Sequence, residues 1–391
     1  MRILRIADIA DNKTGGMSRA MYGTGDALAA AGHVVNYMFN SHLTALGPAT
    51  VRRFMVPLKI PFLVRHLMHQ GEHYDVVEVH EPLAAAYCFL RPLMRSLPPV
   101  VIFSHGLEER GRIAELAYRK QKGLPISLKK RYSPLSVVMQ AVYAIRHCSQ
   151  VICTNSEDVG YLIERGVSEN CLTRIQNGVE GELLEAGESL AQEDGQRSGL
   201  LFIGSWLVRK GVLDLVPAVT QVLRRHPETC FTVAGSGIGP EAVKQAFSKD
   251  VHKQINVVPT FSSNETLIDL YRRHSVFILP SYFEGQPLVM IEAAAFGMAI
   301  VTTSICGMAD FIKDGQNGLL VKVGDSKALE IKMENLIKDS RFARQLGEAA
   351  RITAHEHTWA KSAQLTLQAY ERAIHNTSGA KARGTKNLAS L

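Results

Sequence analysis

Residues 275–304 read "SVFILPSYFEGQPLVMIEAAAFGMAIVTTS". The runs 275–281 and 298–304 are rich in Val, Ile and Leu and short enough for strands. The stretch 283–297 between them has helical spacing. Pro287 suits the first helical position, where a missing N–H is harmless, and Gly297 suits the C-terminal stop. Strand, helix and strand in succession specify a parallel pair joined by a crossover helix. One residue breaks the apolar stripe. Glu292 has Leu288, Val289, Ala295 and Phe296 as its neighbours three and four positions away. Eight residues earlier, Glu284 stands at the helix entrance.

The same alternation runs outward in both directions. Before residue 180, the segments 2–7, 33–39, 75–80, 99–104 and 150–155 read as strands, separated by helical patterns such as 17–32 and 136–148. It restarts with 199–205, 229–235, 255–260, 275–281 and 298–304. The acidic, polar stretch 181–198 reads as a linker. The expected organisation is α/β: two doubly wound, Rossmann-like domains facing a cleft, at 1–180 and 199–356. A helix at 357–375 follows, and the tail 376–391 reads as disordered.

The 391 residues, 46% hydrophobic, suffice for two cores. Six scattered cysteines form no CxxC pair and no metal-ligand spacing, which suits reduced thiols in the cytoplasm. The N-terminal strand is too short for a signal peptide, and no run is long enough to span a membrane. The net charge of +7 is uneven. Residues 110–131 carry eight Lys/Arg and one Glu, and residues 27–71 contain no acid. Both regions mix cations with bulky apolar side chains, a pattern that suits an anionic membrane surface. They lack the interleaved aromatics of a nucleic-acid platform, so no nucleic-acid partner is expected.

Ligands of doubly wound sheets bind at the carboxyl ends of strands, and several turns fall there. Gly15-Gly16 opens a helix after the first strand and could bring backbone N–H groups to a phosphate. Arg209 and Lys210 precede Gly211 and suit a diphosphate leaving group. His105-Gly106 ends a strand of the first domain. Gly285 and Gln286 lie at a helix N-terminus beside Glu284, where an anion or a hydroxyl would be accepted. Glu292 could bind a pair of hydroxyls. "TVAGSGIGP" (232–240) misplaces the third glycine of a dinucleotide fingerprint and reads as a tight turn.

Taken together these residues resemble family 4 glycosyltransferases, retaining enzymes of GT-B architecture. The resemblance rests on Glu284 and Glu292 as an E-x7-E signature, Lys210-Gly211, the turn Asn177–Val179, Gly15-Gly16 and His105-Gly106, and it covers nearly the whole chain. It implies that Glu284 and the N–H groups of Gly285 and Gln286 hold the donor sugar. It further implies that Glu292 binds the nucleotide ribose and Lys210 the diphosphate, that His105 lies near the transferring sugar and that Gly15-Gly16 lies near the phosphates. No cofactor or metal is implied. The last helix is expected to return to the first domain. Two departures are visible: Ser205 stands where the family often has Arg, a charge that Arg209 could replace, and Cys306 and Asp310 stand in "CGMAD", where Gly and Glu are usual.

The expected function is transfer of a sugar from a UDP- or GDP-linked donor to a glycan or lipid-linked acceptor in surface polysaccharide or glycolipid synthesis. The expected location is the cytoplasm, at the inner face of the cell membrane. A sugar-nucleotide 2-epimerase and a non-catalytic nucleotide-sugar-binding protein are the alternatives.

Overall fold

A computed structural model describes the chain except residues 13–14, 44–48, 129–131, 133–134, 192–196, 261–262 and 385–391. It divides into two compact units. One comprises Met1–Ile113, Ile126–Gln176 and the terminal helix Trp359–Gly384; the other comprises Ala114–Pro125 and Asn177–Thr358.

The first unit is built on a parallel sheet of β1 (Arg2–Ile6), β2 (Val34–Met38), β3 (Val76–His80), β4 (Val100–Ser104), β5 (Gln150–Cys153) and β6 (Leu172–Arg174), in the order β2-β1-β3-β4-β5-β6. Both faces are covered. Leu4, Ile6, Val77 and Val79 point into one core with Val56, Ile60 and Val64 of the helix Ala49–His69. Ile3, Val76 and Val101 point into another with Ala369, Tyr370 and Ala373 of the terminal helix. Burial on both sides is why these strands are largely apolar. The expected return of the last helix to the first unit is therefore observed.

The second unit has β7 (Leu200–Ile203), β8 (Phe231–Ala234), β9 (Ile255–Val258), β10 (Val276–Leu279), β11 (Ala299–Thr303) and β12 (Leu319–Val321), in the order β12-β11-β10-β7-β8-β9. The strands run parallel, and the order reverses between β7 and β10. That reversal is the place where a doubly wound sheet opens a ligand crevice at its carboxyl edge. The helix Val212–Arg225 packs on this sheet through Leu215, Val219 and Val222, each fully buried. Burying one such side chain contributes about 1.5–3 kcal/mol.

Four expectations need correction. The stretch 181–198 is not an open linker: Gly181–Ala191 is a helix of the second unit. Its Leu183 is buried, and a Cβ on Gly187 would come within 2.2 Å of the Ala295 carbonyl oxygen, so the acidic residues form only its outer face. The domain boundary at 180 also fails for residues 114–125, which pack with the second unit. The terminal helix does not stop at 375 but continues to Gly384, since an established helix gains one bond per added residue; of the tail, 385–391 lies outside the described residues. The three-residue strands β6 and β12 were not expected, being too short to show a period.

Candidate active site

In the second unit, β7 ends at Ile203 and β10 at Leu279, on either side of the reversal. The loop after β7 makes a single turn over Val208–Lys210 and stops at Gly211, whose φ of 75° lies in the left-handed region. Glycine is required there on two counts. The conformation disfavours any Cβ, and a Cβ would sit 1.9 Å from the Pro280 carbonyl oxygen. This close approach seats the cation pair against the loop after β10. The Tyr282 N–H donates to the Arg209 carbonyl at 3.0 Å, and Arg209 Nη1 donates to the Phe283 carbonyl at 3.1 Å.

The result is a three-charge cluster. Lys210 Nζ lies 2.8 Å from Glu284 Oε1, and Arg209 Nη1 lies 3.0 Å from Glu284 Oε2. Glu284 is buried, whereas the Arg209 side chain is 43% exposed. Burial pushes the Glu284 carboxyl upward, but Lys210 and Arg209 outweigh it and hold it below the usual carboxylate range. Glu284 is therefore ionised at neutral pH. The structure thus brings Arg209, Lys210 and Glu284 together from loops more than seventy residues apart. Arg209 carries charge into the region where Ser205 carries none.

Beyond Glu284 the chain turns at Gly285-Gln286 into the helix Leu288–Ala295, with Pro287 one position before its first residue rather than in it. The turn is pinned from two sides. The Asn177 N–H donates to Gln286 Oε1 and Asn177 Nδ2 donates to the Gln286 carbonyl at 2.9 Å, while Gly307 N–H donates to the Gly285 carbonyl at 2.8 Å. Gly307 must be glycine, since a Cβ would come within 2.1 Å of that carbonyl. Beside it Cys306 has φ 49°, which makes it the one non-glycine residue in the left-handed region among the described residues. Glycine, usual in the resembling family, would hold that conformation with less strain.

Glu292 is buried at 2% exposure, which rules out a solvated surface role. Tyr271 Oη donates to Glu292 Oε2 at 2.8 Å, and the Tyr271 ring stacks on Phe296. Sequence reading missed Tyr271, although its place in the helix Asn264–Arg273, among Leu267 and Leu270, marks it as inward-facing. It also missed Asp214, another buried carboxylate of this unit. Asp214 accepts from Tyr118 Oη at 2.6 Å and from Ser326 Oγ at 3.0 Å, and it pairs with Lys122.

In the first unit, Gly15 precedes the helix Gly16–Ala30, and its carbonyl accepts from Arg19 N–H and Ser18 Oγ at 2.9 Å. Neither Gly15 nor Gly16 has a positive φ, and nothing lies within 4 Å of a Cβ on Gly16. The backbone there is open to close approach. His105 follows β4 and is half-buried. Its Nε2 lies 3.0 Å from His80 Nδ1, and His80 Nε2 lies 3.0 Å from Glu78 Oε1. Burial, and then the neighbouring His80, push the His105 imidazole well below its ordinary range, so it is neutral at pH 7. His80, Glu78 and Arg5 were not anticipated as site residues.

The sequence patterns of two families cover most of the chain: "Glycosyltransferase Family 4" matches residues 14–183, and "Glycosyl transferases group 1" matches residues 191–353. This chain belongs to the family 4 glycosyltransferases. A glycogen synthase of Mycobacterium tuberculosis is 30% identical over 230 residues, covering 57% of this chain and 53% of that protein. The chain thus spans about half the length of that curated relative. In fold it is similar to sucrose-phosphate synthase from Thermosynechococcus elongatus (TM-score 0.74, 21% identity, 96% of this chain and 99% of the other). It is also similar to Anabaena HepE solved with UDP-glucose (TM-score 0.68, 16% identity, 95% and 98% covered). These neighbours have the GT-B fold. The matched range 191–353 includes Arg209, Lys210, Glu284 and Glu292.

Proposed function

We propose that this chain transfers a sugar, with retention and without a metal ion, from a nucleoside diphosphate sugar to a glycan or lipid-linked acceptor. One observation carries the reading: a buried carboxylate held between two cations at the reversal point of the second sheet. A diphosphate leaving group gains charge as its bond to sugar breaks, and Arg209 and Lys210 offset that charge from fixed positions. Glu284 accepts from hydroxyls of the sugar. Glu292 accepts from the ribose diol, Gly15-Gly16 offers N–H groups to phosphate, and His105 serves the transferring sugar. Among the described residues no three His, Cys, Asp or Glu side chains gather as a metal site. Activity in chelator, unchanged by magnesium or manganese, is the expected result.

The test of donor binding is thermal stability with UDP, GDP, ADP, TDP and CMP in turn. A nucleotide at about 100 times its Kd stabilises by about 2.7 kcal/mol. A stabilising diphosphate whose sugar conjugate is then transferred supports the proposal; epimerised free sugar, or binding without turnover, overturns it. Glu292→Ala should weaken the preferred nucleoside diphosphate by about 1.5–3 kcal/mol in calorimetry, as for hydrogen bonds to a charged group. Unchanged affinity in the folded variant would remove Glu292 from the site.

The membrane-facing part of the reading is narrower than the sequence indicated. In residues 110–131, Arg110 pairs with Glu157 and Asp158, Arg119 with Glu115 and Lys122 with Asp214, so these cations serve the fold; Lys129, Lys130 and Arg131 lie outside the described residues. The helix Ala49–His69 exposes a mixed apolar and basic side. Val56, Ile60 and Val64 face inward, while Phe54, Met55, Leu58 and Phe62 are exposed along one side, between Arg52, Arg53, Lys59 and Arg65. No helix among the described residues is long and apolar enough to cross a membrane. We therefore place a lipid-linked acceptor's membrane against this helix. Phe54→Ser should weaken binding to anionic vesicles about tenfold or more, since inserting one Phe is worth about 1.5–3 kcal/mol. Salt near 1 M, where the Debye length is roughly 3 Å, should release the parent protein. Failure of the parent to sediment with anionic vesicles at low salt would point to a water-soluble acceptor.

A further inference from the structure

Glu78, His80 and His105 form a line of hydrogen bonds whose direction can be worked out from one end. Glu78 and Arg5 are register partners on β3 and β1, with Arg5 Nε 3.2 Å from Glu78 Oε1. Tyr370 Oη of the terminal helix donates to Glu78 Oε2 at 2.7 Å. A carboxyl group facing a guanidinium, a phenol and an imidazole is ionised, and an ionised carboxylate only accepts. His80 Nε2, at 3.0 Å from Oε1, must donate. A neutral imidazole carries one proton, so His80 Nδ1 holds a lone pair. The 3.0 Å contact from His80 Nδ1 to His105 Nε2 then requires the proton on His105 Nε2. His105 Nδ1 is left as an acceptor.

We propose that Glu78 and His80 are positioning residues that lock His105 as the neutral, Nε2-protonated tautomer, so that its Nδ1 accepts a hydrogen bond from a sugar hydroxyl. The last step rests on the assignment of His105 to the transferring sugar. The rings of His80 and His105 are stacked, with centroids 5.0 Å apart, and Phe103 lies 5.3 Å from His80, so the orientation of the line is held by packing as well as by hydrogen bonds. The opposite direction needs a protonated His80. The charged and titratable groups facing it are Arg5, Glu78, Tyr370 and His105, and the single negative charge among them is already matched by Arg5. A buried imidazolium there would be uncompensated.

The experiment is long-range nitrogen–proton NMR on the full-length protein with labelled histidine, read against steady-state kinetics. At neutral pH the His105 spectrum should show a protonated Nε2 and a bare Nδ1. The wild-type spectrum decides the matter without any variant: a proton on Nδ1, or a mixture, overturns the proposal. His80→Phe, which preserves the ring stack on Phe103, should release His105 to mixed tautomers, lower kcat roughly tenfold to a hundredfold as ring-orienting partners do elsewhere, and leave nucleotide affinity unchanged. The acid limb of the kcat profile should change shape with it; an unchanged profile and kcat would overturn the link to catalysis. If the tautomer is as expected but His105→Ala transfers sugar normally, the assignment of His105 to the sugar fails while the lock on its tautomer stands.

Discussion

Glu284→Gln should lower sugar transfer about a hundredfold or more while the protein still binds nucleoside diphosphate. The magnitude is that for losing one preorganised electrostatic contact in a site closed to water. The substitution keeps the shape of the side chain and its contact with the loop, so Lys210 and Arg209 stay near their positions, 2.8 and 3.0 Å away. What it removes is a charge whose effect depends on burial: at 7% exposure the carboxylate is little screened. Releasing the two cations from their partner should leave diphosphate affinity equal or higher. The measurement is kcat/KM alongside calorimetric Kd. A hundredfold fall in kcat with retained Kd separates a role in the reaction from a role in donor binding. Near-normal turnover would reduce Glu284 to a structural partner of the two cations.

Arg5→Met should destabilise the first unit by about 3–5 kcal/mol, the usual consequence of removing one member of a buried ion pair. Arg5 is 1% exposed and Glu78 is fully buried, and the guanidinium also donates from Nη1 to the Met21 carbonyl at 2.7 Å and from Nη2 to Tyr370 Oη at 3.2 Å. Methionine fills the volume but leaves the carboxylate with Tyr370 and His80 alone. The effect should depend on pH with a definite sign. Burial pushes Glu78 up, yet Arg5 and the His80 hydrogen bond hold it down to about 2 in the folded protein, against 4.5 in the unfolded chain. A depressed carboxyl stabilises above its unfolded pKa, and that stabilisation is lost as pH falls toward the folded value. The difference between parent and variant should thus be full near neutrality and narrow from about pH 4.5 toward 2. Denaturant transitions of the first unit followed by hydrogen exchange would report it. A variant as stable as the parent at pH 7 would mean that the pair contributes nothing net beyond a hydrophobic pair of the same size.

Local chemistry made much of this molecule legible. Runs of Val and Ile bounded by turns marked the long strands because burial on both faces leaves most of their positions apolar. Gly297, with φ 63°, ends a helix in the left-handed region, and Gly211, with φ 75°, opens one where a Cβ would also meet the Pro280 carbonyl oxygen. Lys210 and Glu284 could be singled out as candidates because each is a charge beside a glycine after a strand. The helix Gly181–Ala191 escaped reading because its acidic residues outweighed Leu183, Leu184, Ala186 and Leu190, whose spacing carried the signal.

The strands β1 and β3 show the limit most clearly. "RILRI" and "VVEVH" interrupt their apolar residues with Arg5, Glu78 and His80, and polar residues in a strand by themselves suit a wet face. Only the parallel register sets Arg5 opposite Glu78, and only the terminal helix, with Tyr370 292 residues beyond Glu78, seals that face from water. By itself the sequence determined the periods, the turns and the charged residues available to them, since these depend on neighbours within a few positions. Which charges meet and which are buried was decided by the tertiary structure, because solvation and pairing are properties of the space around a side chain and that space is filled by distant segments.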